Sequence, residues 1–177
     1  TIEGLLGKKL PYDAGVGTRL MFHELTVERP HPALHVLQHW FDAIDPAIYA
    51  PMLDDPPSGR GVHLLHVYGH ADSYTPPPSM RIYAAASRSD LGVPHPTPSW
   101  LDDISDLLQE TADLPISGNR TVAGESYTRV TTQHLNDAGN SLFDVPYDGH
   151  FVVFNDVDAV RRLAGFLSSW VLDAVPT

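Results

Sequence analysis

The stretch Val62–Pro76, VHLLHVYGHADSYTP, decides how the rest of this chain is read. Val62–Tyr68 is a short run of apolar and β-branched residues without clean alternation. That pattern predicts a strand covered on both faces, as in a parallel sheet. Gly69 follows and permits a sharp turn, and Asp72 comes three residues later in a loop that closes at Pro76. In open α/β sheets, functional groups collect beyond the carboxyl ends of strands, which is where Asp72 falls. An aspartate there can orient a histidine through Nδ1–H. The plainer alternative is that Asp72 caps a turn or the following helix.

Working outward, Pro76–Pro78 opens a predicted helix running to about Ala86, with Thr75 as a cap. Upstream, Leu34, Leu37, Trp40, Phe41 and Ile44 recur at helical spacing, so Pro32–Ala43 is a predicted amphipathic helix, and Ile48–Leu53 a short second one. Downstream, Leu91–Pro98 reads as a Pro-rich surface stretch and Trp100–Thr111 as a helix. Residues 112–126 read as loop and Tyr127–Leu135 as an alternating second strand. The chain closes on a predicted helix, Asn155–Ala174, capped by Asn155, with Asp156 and Asp158 in its first turn. Its expected apolar stripe is Val157, Val160, Leu163, Leu167, Trp170 and Val171. The order strand, helix, insertion, strand, helix is that of an α/β fold. Two strands make no stable sheet, so the chain reads as the end of a larger one.

A second pattern, Asp148-Gly149-His150-Phe151, lies between the second strand and the last helix. A histidine in a tight loop, anchored by apolar neighbours, is placed as a general base requires, and imidazole titrates near neutrality. The alternative is a structural histidine bonded to backbone carbonyls. Acid after one strand and histidine after the next is the chain order of a serine-hydrolase triad.

The segments GHADSYTPP and DGHFVVFND, followed by a terminal amphipathic helix, resemble the C-terminal half of the α/β-hydrolase superfamily. The chain from about Leu34 onward is similar to esterase- or lipase-like members exported by bacteria. The resemblance implies Asp72 as triad acid and His150 as general base, acting without a cofactor. It implies that residues 1–53 are an N-terminal loop and helical cap. Residues 54–177 would then hold the acid strand, an insertion at about 95–125, the histidine loop and the final helix. Leu34, Leu37, Trp40 and Phe41 of the cap, with Phe151, would line a pocket for an ester substrate, small or lipid. It also suggests a secreted or cell-envelope location, in keeping with a first residue other than Met.

The departures from the family are as informative. No G-x-S-x-G elbow occurs; Gly124-Glu125-Ser126 and Gly139-Asn140-Ser141 come nearest, and neither joins a strand to a helix. Asp72 and His150 also stand farther apart than is usual. The expected partner is therefore an N-terminal half of the same precursor, carrying the nucleophilic serine. Two other functions compete: a hydrolase-like binding module that has lost its nucleophile, and a His-rich metal-binding protein. The latter would use His31, His35 and His39, four apart with Asp42 close by. His63, His66 and His70 are poorer candidates, because period two sends His63 to one face of the strand and the others to the opposite one.

Composition narrows the remaining classes. With 22 acidic and 11 basic residues the net charge is −11, which opposes binding to a phosphate backbone. An apolar fraction of 42% is that of a globular chain. The absence of Cys removes disulfides, thiolate nucleophiles and Cys-based metal sites. No apolar run reaches the ~18 residues of a membrane span.

Overall fold

A computed structural model describes residues 32–75, 77–93, 111–143, 145–172 and 175–176. The predicted helix at Trp100–Thr111, the loop at residues 1–19 and His31 lie largely or wholly outside the described residues. Helix α1 (Pro32–Asp42), the short α2 (Pro46–Tyr49) and a 3₁₀ turn (Ala50–Leu53) lead into strand β1 (Leu64–Gly69). Then come α3 (Pro77–Ala86), β2 (Asp90–Val93), β3 (Thr111–Asp113), and the hairpin β4 (Arg120–Val122) and β5 (Glu125–Tyr127). Strand β6 (Arg129–His134), α4 (Val152–Asn155) and α5 (Val157–Val171) complete the chain. Among the described residues no helix is long and apolar enough to cross a membrane.

The fold is α/β, with a parallel sheet in the order β1-β6-β2-β3. Leu91 and Gly92 are therefore buried strand residues, not surface, and residues 112–126 take in the end of β3, all of β4 and the start of β5 rather than one loop. Helices cover both faces. Met80 and Ala84 of α3 join Tyr68 and Leu91 in a core, while Phe166 of α5 meets His63 on the other side. His63 and His66 thus point to opposite faces, as period two requires.

The centre of the sheet is β6, not the apolar strand β1. All six β6 residues are buried, whereas Leu64–Val67 of β1 are half-buried at the sheet edge. The burial on both faces expected of β1 is reached only at Tyr68 and Gly69. The final helix begins later than expected: Asp156, not Asn155, is the N-cap, its Oδ1 accepting from the Ala159 amide at 2.7 Å. Of its apolar stripe, Leu167, Trp170 and Val171 remain exposed.

Burying polar residues in β6 requires partners, and Arg129, Thr131 and His134 find theirs far away in the sequence. The Thr131 hydroxyl meets Ser89 Oγ at 2.6 Å and His66 Nδ1 at 3.2 Å. Fully buried Arg129 donates to Asp54 Oδ1 and to the Leu53 carbonyl, tying the sheet to the 3₁₀ turn before it. Asp54→Ala would leave that guanidinium with half its partners, so a loss of about 2 kcal/mol is expected. The urea midpoint should fall at unchanged slope; an unaltered midpoint would contradict this role.

The half-buried His66 ring adds a pH dependence. Burial lowers its pKa to about 4, so the folded protein keeps it neutral where the unfolded chain, near 6.5, protonates it. The unfolded state then binds more protons in that window, and stability falls as pH drops through it. A cost of about 2 kcal/mol between neutrality and pH 4 is expected, since partial exposure offsets some of the shift. His66→Phe should flatten the slope of urea midpoint against pH; an equal slope in both proteins would contradict it.

Candidate active site

Adjacent strands β1 and β6 end together, with Gly69 opposite His134 in the register. The loops leaving them are therefore neighbours, and one carries Asp72 while the other leads to His150. They cross in close contact. A Cβ on Gly69 would stand 2.0 Å from the Gly149 carbonyl oxygen, and one on Gly149 would stand 1.9 Å from the His70 carbonyl oxygen. Both positions thus need glycine for closeness. The left-handed backbone falls instead on Ala71, at φ +54°. A non-glycine residue in that region is strained, and such strain concentrates at functional sites.

The crossing brings Asp72 and His150 together. His150 Nδ1 lies 3.2 Å from Asp72 Oδ2. The Asp72 side chain is only 5% exposed, while that of His150 is 40% exposed. Asp72 Oδ1 accepts from the amides of Tyr74 and Thr75 at 2.7 and 2.6 Å, so the turn-capping role and the histidine-orienting role belong to different oxygens of one carboxylate. With Oδ1 held by two amides, the carboxylate has little freedom to rotate. With its proton on Nδ1, His150 donates to Oδ2, and Nε2 is left as the unprotonated nitrogen of a ring that is 40% exposed. Rings of Tyr74 and Phe151 flank the imidazole, with centroids 4.7 and 5.1 Å away.

A second histidine–aspartate pair shows what the first is not. His134 Nδ1 lies 2.9 Å from Asp156 Oδ1, and their side chains are 3% and 2% exposed. His134 Nε2 faces Thr132 Oγ1 at 3.1 Å, so both ring nitrogens are occupied. Burial alone would raise the Asp156 carboxyl. Hydrogen bonds from His134, the Ala159 amide and Asn140, with the charge of His134, outweigh it and hold the group below the ordinary carboxylate range. This pair fastens the end of β6 to the start of α5. Of these two pairs, only the one at His150 has an exposed imidazole.

Of the expected pocket residues, Phe151 is at the site. Trp40 and Phe41 are exposed on α1, and the rings recorded beside His150 among the described residues are Tyr74 and Phe151. The side chains of Leu34 and Leu37 lie outside the described residues. A cavity of about 350 Å³ opens elsewhere, between the sheet and α5, lined by Leu65, Val130, Thr132, Arg162 and Phe166. Neither Asp72 nor His150 lines it. Among the described residues no three His, Cys, Asp or Glu side chains are grouped to hold a metal. His63 accepts from the Thr128 amide at 3.0 Å, and His70 pairs with Asn136 at 3.3 Å.

The sequence reading missed Tyr74, Asp148 and the His134–Asp156 pair. Tyr74 lies within the stretch first quoted, two residues from Asp72, and Asp148 two before His150; proximity to the acid and base was the available signal. No family model, curated protein or solved structure matches the chain.

Proposed function

We propose that this chain supplies the acid and the base of a Ser-His-Asp carboxylic ester hydrolase of the α/β-hydrolase kind. The observation that carries the reading is the Asp72–His150 pair, with a buried, amide-held carboxylate on Nδ1 of a partly exposed imidazole. In that arrangement Nε2 takes the proton of a serine hydroxyl as its oxygen attacks the ester carbonyl. The same nitrogen then returns the proton to the leaving alkoxide. Asp72 fixes the tautomer and stabilises the imidazolium that forms. Water repeats the sequence on the acyl-enzyme.

The serine is proposed to lie on an N-terminal half of the same precursor, since the sequence has no G-x-S-x-G elbow. Two features support a further neighbour for this sheet: β1 is only half-buried at its edge, and the apolar residues Leu167, Trp170 and Val171 of α5 are exposed. Tyr74 and Phe151 would then form the apolar rim against which an ester rests, with the α1 segment as cap and an exported location in keeping with the resemblance.

A second reading, a binding module of the same architecture, is favoured by the missing elbow. Intact-mass analysis of the purified protein separates the two. A co-purifying fragment bearing G-x-S-x-G that gains the mass of a fluorophosphonate adduct supports the hydrolase. A protein that holds such a fragment and takes up no adduct supports the module.

A further inference from the structure

Asp148 stands two residues before His150 and joins the two loops that carry the pair. Its Oδ1 accepts from the amide of Ser73, on the acid loop, at 3.0 Å. The same oxygen accepts from the amide of His150, on the histidine loop, at 2.9 Å. Ser73 adjoins Asp72 in sequence, so one carboxylate oxygen binds a backbone amide next to the acid and the amide of the base itself. Asp148 is also the N-cap of the 3₁₀ turn Gly149–Phe151 on which His150 rides. Gly149, between them, brings the loops into backbone contact beside Asp72.

We infer that Asp148 is a positioning residue, which holds the acid loop and the histidine loop at the separation that keeps His150 Nδ1 on Asp72. The inference rests on the hydrolase reading for its consequence in catalysis, but its structural content concerns this chain alone. Burial alone would raise the Asp148 carboxyl. The bonds from Ser73 and the His150 amide, with the charge of the nearby imidazole, bring it below the ordinary carboxylate range. It therefore acts as a charged acceptor at neutral pH, the stronger form of such a bond. Asp72 reaches the histidine loop only through the Oδ2 contact to the His150 side chain, since its Oδ1 bonds within its own turn at Tyr74 and Thr75.

The test is the tautomer of neutral His150, read from its ring nitrogen shifts by NMR in the full chain, with Asp148→Ala and Asp148→Asn compared. The parent is expected to hold the proton on Nδ1. Asp148→Ala is expected to lose that preference, and Asp148→Asn, which keeps an acceptor oxygen in place, to retain it. In the active assembly Asp148→Ala should lower kcat by about 10²-fold, as a displaced catalytic group does, with little change in KM. If Asp148→Ala does not fold, Asp148→Glu, which keeps the charge but moves the acceptor, takes its place with the same expectation. A parent on Nδ1 with an unaffected Asp148→Ala overturns the positioning role and leaves the hydrolase reading intact. A parent that is not on Nδ1 removes the pair itself, and the hydrolase reading with it.

Discussion

His150→Ala is expected to lower kcat/KM for a soluble ester by about 10⁴-fold or more in the protein assembled with its nucleophile. The size follows from the roles proposed for the pair. His150 Nε2 is the remaining nitrogen of a partly exposed ring whose other nitrogen is committed to Asp72. Without the ring no group remains to take the serine proton, and a neutral hydroxyl is a poor nucleophile. Asp72→Asn tests the other half and should cost about 10⁴-fold, because an amide can present its NH₂ to Nδ1 and turn the imidazole to the wrong tautomer. The fold should survive both changes, since the His150 side chain is 40% exposed and the Tyr74 and Thr75 amides keep an acceptor oxygen in the asparagine variant. Steady-state ester hydrolysis measures this. A loss below tenfold in His150→Ala would remove the histidine from the chemistry.

The second large effect is on structure. Gly149→Ala puts a methyl 1.9 Å from the His70 carbonyl oxygen and 2.8 Å from the Asp72 amide nitrogen. Both neighbours are backbone, so neither can turn aside as a flexible side chain would. The loops must separate, which breaks the Asp148 bridge and withdraws His150 from Asp72 together. Overpacking usually costs 1–3 kcal/mol, and a clash with backbone belongs at or beyond the upper end, so about 4 kcal/mol is expected. Urea denaturation would show a lowered midpoint with activity lost. A protein of parental stability and activity would mean that the loops do not cross as described.

The site was more legible than the sheet that carries it. Asp72 and His150 stand in short loops whose glycines and flanking apolar residues mark the ends of elements, so their pairing could be expected from position. The role of Gly69 was not readable, because its need for closeness depends on Gly149, eighty residues on. Strand β2 was hidden for a different reason. Asp90 looks like a surface residue, and Pro94 follows the strand directly, yet Asp90 is buried with Asn119 Nδ2 at 2.7 Å and the Arg120 guanidinium as partners. Strand β6 looked half-exposed because Arg129, Thr131, Gln133 and His134 are polar. Partners far away in sequence, Asp54, Ser89 and Asp156 among them, meet three of those four as the whole strand is buried. The hairpin β4–β5 escaped notice because its two-residue turn is Ala123-Gly124, at φ +51° and +86°. A turn with both residues left-handed usually announces itself by Asn-Gly or Asp-Gly.

The central claim is that Asp72 and His150 serve a serine supplied by another segment. Fluorophosphonate labelling of the complete purified protein, followed by peptide mapping, tests it most directly. The account predicts a single labelled serine outside these 177 residues, within a G-x-S-x-G segment, and loss of labelling in His150→Ala. A label on a serine of this chain, or labelling that persists at the parental rate in His150→Ala, would contradict it.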